Sequence, residues 1–125
     1  MPDFSKTPAP PTRISVSDNI ASGAISDVIR LPVTGASISA VPVSGGTMRV
    51  FKSSSPWEYV ALDVADGSLS YANLIAGTQP TKSVWMLWKA GAVTATTNER
   101  PIESAGDVAV VALSTTQAGI LEVAG

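Results

Sequence analysis

WKAGAVTATTNERPIESAGDVAVVALSTTQAGILEVAG, residues 88–125, is the stretch from which the fold is read. Short runs of small apolar and β-branched residues, such as Val108-Ala109-Val110-Val111-Ala112-Leu113, are cut by Gly91, Asn98, Pro101, Gly106 and Gly119. Runs of this kind are too short and too β-branched for helices, and the breaks fall where turns belong. Residues 93–97, 107–113 and 119–123 are expected to be strands. The stretch predicts a compact β scaffold that carries no evident chemistry.

Working back from it, residues 83–90, SVWMLWKA, form the most hydrophobic segment. With period two, Val84, Met86 and Trp88 share one face and Trp85 and Leu87 the other. Both faces are apolar. The segment is therefore expected to be a central strand covered on both sides, or to turn half its surface to a partner. Residues 47–52 read as a strand with Met48 and Val50 opposite Arg49 and Phe51. Residues 57–63 and 68–74 are read as two more strands, separated by a turn at Asp66-Gly67.

Earlier still, residues 13–17 alternate and are read as a strand ended by an Asp18-Asn19 turn. Residues 24–33 form the next strand; a short helix over 22–29 is the alternative, set aside because Pro32 and Gly35 follow so soon. Residues 37–43 alternate again. Pro42 places them at an edge or a bulge, and Gly45-Gly46 marks a hairpin-type break. Eight to ten short strands at this spacing predict an all-β, single-domain antiparallel β-sandwich or jelly-roll-like barrel over residues 13–125. Residues 1–12, MPDFSKTPAPPT, hold Pro2, Pro8, Pro10 and Pro11 and are expected to be an extended N-terminal arm.

Composition narrows the function classes. Of 125 residues, 45% are hydrophobic and only 14% charged, against about 25% in typical domains. Net charge is −2 and the eight basic residues are scattered, so no clustered basic face points to nucleic acid. No apolar run approaches the roughly 20 residues of a membrane helix, and the start of the chain lacks a signal-peptide pattern. Synthesis and folding in the cytoplasm are expected.

There is no cysteine and no histidine. That removes disulfides, thiol nucleophiles, the commonest general base and the commonest transition-metal ligand. No catalytic residue, metal site or cofactor is expected. Asp63 and Asp66-Gly67 lack the spaced oxygen ligands of a calcium loop and read as a turn. Glu99, Glu103 and Asp107 surround turn residues and read as solvated loop acids rather than a hydrolase pair. Gly45-Gly46 lacks the Lys-Ser/Thr of a phosphate loop.

The remaining candidates concern binding. Trp57, Tyr59, Trp85 and Trp88 match the aromatic residues of sugar-stacking sites, yet such residues are more often core or interface anchors. Arg100 lies in the most polar tetrapeptide of the last third, Asn98-Glu99-Arg100-Pro101, and is a candidate contact, since Arg is favoured at interfaces. In the arm, Phe4 is the candidate anchor, with Lys6, Pro8, Pro10, Pro11 and Arg13 around it.

The segments MRVFKSSSPWEYVALD and GAVTATTNERPIESAGDVAVVALSTTQAGILEVAG together resemble a family of small structural proteins of tailed-phage and prophage virions. Met48-Arg49-Val50 and Ser53-Ser54 match its first strand motif. Residues 93–97, Pro101-Ile102 and Ala105-Gly106 match its second, and residues 119–125 its closing strand. The resemblance spans residues 48–125 and is best over 91–125. Lys52 stands where Asn is usual, and residues 66–82 look like an insertion.

The resemblance implies a non-enzymatic capsid decoration (cement) protein on the virion surface. Its implied partners are the major capsid protein and further copies of itself, as a homotrimer. A tail or fibre-base component is the alternative within virions, and a carbohydrate-binding module is the alternative outside them.

Overall fold

The computed structural model describes residues 15–31, 36–88, 93–99 and 108–124. Within them the chain forms β1 (Ser15–Ile20), β2 (Ala24–Ile25), β3 (Ile29–Leu31), β4 (Ser37–Pro42), β5 (Thr47–Ser53), α1 (Trp57–Asp66), α2 (Tyr71–Ala76), β6 (Met86–Leu87), β7 (Thr97–Glu99), β8 (Val108–Thr116) and β9 (Gly119–Ala124). Two antiparallel sheets pack against each other in an all-β, sandwich-like fold, as the sequence predicts. One sheet runs β1-β9-β4-β7. The other runs β2-β8-β5-β6, with β3 also paired to β8.

β8 explains the layering. Val108, Val110 and Ala112 join Ile38, Met48, Val50, Leu121 and Val123 in a core between the sheets. The alternate residues Ala109, Val111 and Leu113 join Phe51, Val60, Leu74 and Trp85 in a second core. That second core lies between the outer face of the β8 sheet and the two helices. Three layers result: sheet, sheet, helices. An unbroken apolar run is what a strand covered on both faces requires.

The helices correct the reading of residues 57–63 and 68–74 as strands. Trp57, Val60 and Asp63 are the inward residues of α1, at helical spacing. Pro56 precedes the first turn, Glu58 sits in it, and Gly67 ends it at φ 78°, a left-handed conformation that glycine adopts without strain. α2 starts at Ser70, whose side chain accepts the Asn73 N–H. The Asp66-Gly67 turn is therefore the end of a helix, with Asp66 Oδ1 accepting the Ser68 N–H.

Other expectations shift as well. Asp18 and Asn19 are not a turn; they pair with Leu121 and Ile120 inside β1. The turn follows at 21–24, where Ala24 N–H donates to Ala21 O. Residues 24–31 are strand-like but interrupted between β2 and β3. There Ser26 N–H donates to Ala112 O, and Ser26 Oγ accepts the Ala112 N–H in place of a ladder carbonyl.

β4 is interior to its sheet rather than an edge. Pro42 is tolerated as its last residue, beyond the register with β7. Gly45-Gly46 carries the chain from one sheet to the other instead of closing a hairpin. A Cβ on Gly46 would lie 2.8 Å from Val43 O and 2.9 Å from Thr116 O.

The segment 83–90 differs most. Among its described residues only Met86 and Leu87 form a strand, and β6 ends its sheet. Val84 is 61% exposed and Met86 52%, while Trp85 is 3% exposed. The expected central strand is thus an edge with one covered face and one open apolar face.

Candidate functional site

The open face is built around α1 and the segment that precedes β6. Trp57 and Val60 pin α1 against the second core. Asp63, one turn after Val60, falls on the flank of the helix that meets residues 81–85. Its carboxylate is fully buried and accepts three backbone or hydroxyl donors from that segment. Lys82 N lies 3.0 Å from Oδ1, Ser83 N 2.6 Å from Oδ2 and Ser83 Oγ 2.5 Å from Oδ2. Ser83 Oγ in turn accepts the indole N–H of Trp85 at 2.9 Å.

Burial pushes the Asp63 carboxyl upward. Hydrogen bonds from Ser83, Lys82 and Ser68 outweigh it and hold the group below the usual carboxylate range. A carboxylate that accepts several N–H and O–H donors is stabilised in its charged form. Asp63 is therefore a permanent anion at neutral pH, and its work is to fix the chain opposite it.

Around this anchor exposed apolar side chains stand among exposed polar ones such as Glu58, Thr81 and Lys82. On α1, Tyr59 is 44% and Leu62 48% exposed. On the neighbouring segment, Val84 and Met86 point away from the core. Asp63 binds residues 82 and 83, and Ser55, just before α1, accepts the Val84 N–H at 2.9 Å. These bonds hold the segment against α1 and the residues just before it. Val84 and Met86 are thus exposed apolar side chains on a hydrogen-bonded segment, and Tyr59 and Leu62 are exposed on the helix.

The aromatic candidates do not form one platform. Trp85 is interior, and Trp57 is half-buried with the Arg30 guanidinium 5.2 Å from its ring centroid. Trp88 packs on the core between the sheets. Tyr59 alone of the four is exposed. Phe4, Lys6, Pro8, Pro10, Pro11, Arg13 and Arg100 lie outside the described residues, as do Glu103 and Asp107. Leu62 and the buried role of Asp63 were missed in the sequence because residues 57–63 were assigned period two. The helical spacing Trp57-Val60-Asp63 is the signal that finds them.

A second apolar feature lies at one end of the first sheet. Ile20, Ala21, Val43, Ala118 and Ile120 line an open groove of about 380 Å³. Among the described residues no cluster of three or more acidic side chains is placed to hold a metal ion, and no helix is long and apolar enough to cross a membrane.

Comparison with protein-family models, with curated proteins and with solved structures finds no match for this chain.

Proposed function

We propose that this chain is a non-enzymatic virion structural protein, a capsid decoration protein that binds the assembled shell. The observation that carries the reading is the exposure of two apolar side chains, Val84 and Met86, on a segment held by hydrogen bonds. A water-facing valine and methionine on a hydrogen-bonded segment suit protein–protein docking better than solvation. The resemblance of residues 48–125 to small tailed-phage virion proteins supports the same reading. So does a chain without His or Cys, which lacks the usual catalytic groups and depends on no redox state.

The mechanism is mass action. A protein that binds the assembled lattice and not its free subunits stabilises the lattice by an amount set by affinity and concentration. A homotrimer is the proposed state of the free chain, as in the proteins it resembles, and sedimentation velocity checks it.

The test uses empty mature heads of the phage whose genome carries the gene. The wild-type chain is expected to co-sediment with them at saturable stoichiometry. Val84→Asp combined with Met86→Asp is expected to lower shell affinity at least about 100-fold, since two buried apolar contacts are replaced by charges, while the melting temperature stays within a few degrees. Failure of the wild type to bind heads, with binding to tails instead, moves the site to the tail.

A further inference from the structure

Among the described residues the first sheet ends on β1 and β7, and the second ends on β6 and on β2 with β3. β3 and β7 have three residues each, and β2 and β6 have two. β1, SVSDNI, has six, holds neither Pro nor Lys, and keeps an unbroken register with β9. Shortness, Pro, Lys and bulges all protect an edge from an added strand. β1 has none of these.

The ladder identifies the backbone groups of β1 that β9 leaves unused. Val43 N–H donates to Ala118 O at 3.1 Å, one step beyond the Pro42–Gly119 pair. Hydrogen-bonded pairs alternate along an antiparallel ladder. Ile120 and Glu122 therefore bond to β4, while Gly119, Leu121 and Val123 bond to β1. Their partners there are Ile20, Asp18 and Val16. The N–H and C=O groups of Ser15, Ser17 and Asn19 consequently point to the open edge, and Ser17 and Asn19 are exposed.

We propose that this edge pairs, antiparallel, with the β1 edge of a second copy of the chain about a two-fold axis through Ser17. Ser17 then faces Ser17 of the partner subunit, and Ser15 faces Asn19 of the partner subunit. Every outward group of one copy meets one of the other, in about six main-chain bonds. That self-complementarity is what an isologous contact requires, and it selects a second copy as the occupant. Asp18 fixes the register. It is the one charge of the strand, and its Oδ2 accepts the Asp27 N–H at 2.6 Å. An axis through Asp18 would set two carboxylates face to face, which is destabilising; an axis through Ser17 sets each Asp18 opposite Val16. The contact does not depend on the docking reading above. Being two-fold, it gives a dimer, or a hexamer where the homotrimer also forms.

Amide hydrogen exchange read against protein concentration tests the pairing. Val16, Asp18 and Ile20 are expected to be protected at every concentration, because β9 holds them. Ser17 and Asn19 are expected to exchange fast in dilute protein, and at least about tenfold more slowly once sedimentation shows the paired form. Ser17→Pro removes a donor that β9 does not use, so it is expected to keep the fold and abolish the paired form. If Ser17→Pro fails to fold, Ser17→Lys carries the test by setting two like charges face to face. The chain has no cysteine, so an introduced one reports alone. Ser17→Cys is expected to form an intersubunit disulfide under mild oxidation, since the Cα atoms of a hydrogen-bonded pair lie about 5.5 Å apart. Asn19→Cys places the two thiol positions about 14 Å apart and is expected to cross-link far less.

Sedimentation that shows only monomers or trimers at every concentration would overturn the contact. Ser17 and Asn19 amides protected at every dilution would overturn it too, because the edge is then covered from within the chain. Pairing that survives both Ser17→Pro and Ser17→Lys excludes β1 as the contact. Cross-linking of Asn19→Cys as readily as Ser17→Cys excludes the axis through Ser17.

Discussion

Asp63 shows how much one residue decides. It was read as part of a turn, yet it is solvent-inaccessible and binds the segment that carries the exposed face. Because its folded-state pKa is lowered, it contributes stability that is present above the unfolded value near 3.8 and lost as pH falls through the lower, folded value. The wild type is therefore expected to keep this contribution across neutral and mildly acidic pH and to lose it below about pH 4. Asp63→Asn places an amide donor against the donors of Ser83 and is expected to cost about 2 kcal/mol at pH 7. Denaturant titrations from pH 7 to pH 3 check the sign: the gap between variant and wild type narrows in acid. A gap that widens contradicts the assignment of Asp63 as a charged acceptor.

At the scale of elements, two strands of the last third were legible and the helices were not; the strand expected over 93–97 is instead an isolated bridge at Val93 and a short strand, β7, at Thr97–Glu99. Residues 108–113 and 119–123 fall inside β8 and β9 because their β-branched runs admit no other element. Residues 57–63, WEYVALD, fit a period of two nearly as well as a period of three to four, so pattern alone leaves them open. The punctuation around them was decisive: Pro56 and Glu58 at the start, Gly67 at the end, then Ser70 and Gly77 around α2. α2 has six residues and depends on its cap. Ser70→Ala removes the acceptor of the Asn73 N–H and is expected to destabilise the protein by about 1 kcal/mol, measured as a fall in thermal midpoint of several degrees. No change would mean that packing of Leu74 alone holds the helix.

At the scale of the whole molecule, β8 is shared by two cores. Trp85 reports on the core beneath the helices, and Trp88 packs against the core between the sheets. Because successive residues of one strand serve both, neither core is expected to melt without the other. Urea unfolding followed in two single-tryptophan variants, one retaining Trp85 and one Trp88, is expected to give coincident transitions. Separated midpoints would show that the helical layer is a separate cooperative unit. The same sharing explains why the two sheets of the sandwich carry a third layer of helices. A run apolar on both faces demands two covers, but it does not say that one of them is helical.

The sequence by itself determined the β class, the strands at 108–113 and 119–123 and the alternation of residues 37–52. These depend on side-chain shape and near neighbours in the chain. Tertiary structure decided which strands share a sheet, that Gly45-Gly46 crosses the sandwich, and that residues 83–87 form an open edge rather than a covered strand. It also decided that Asp63, some 20 residues earlier, holds that edge in place. The reason is physical. Local pattern records which residues prefer burial, whereas exposure of Val84 and burial of Asp63 depend on contacts between segments far apart in the chain.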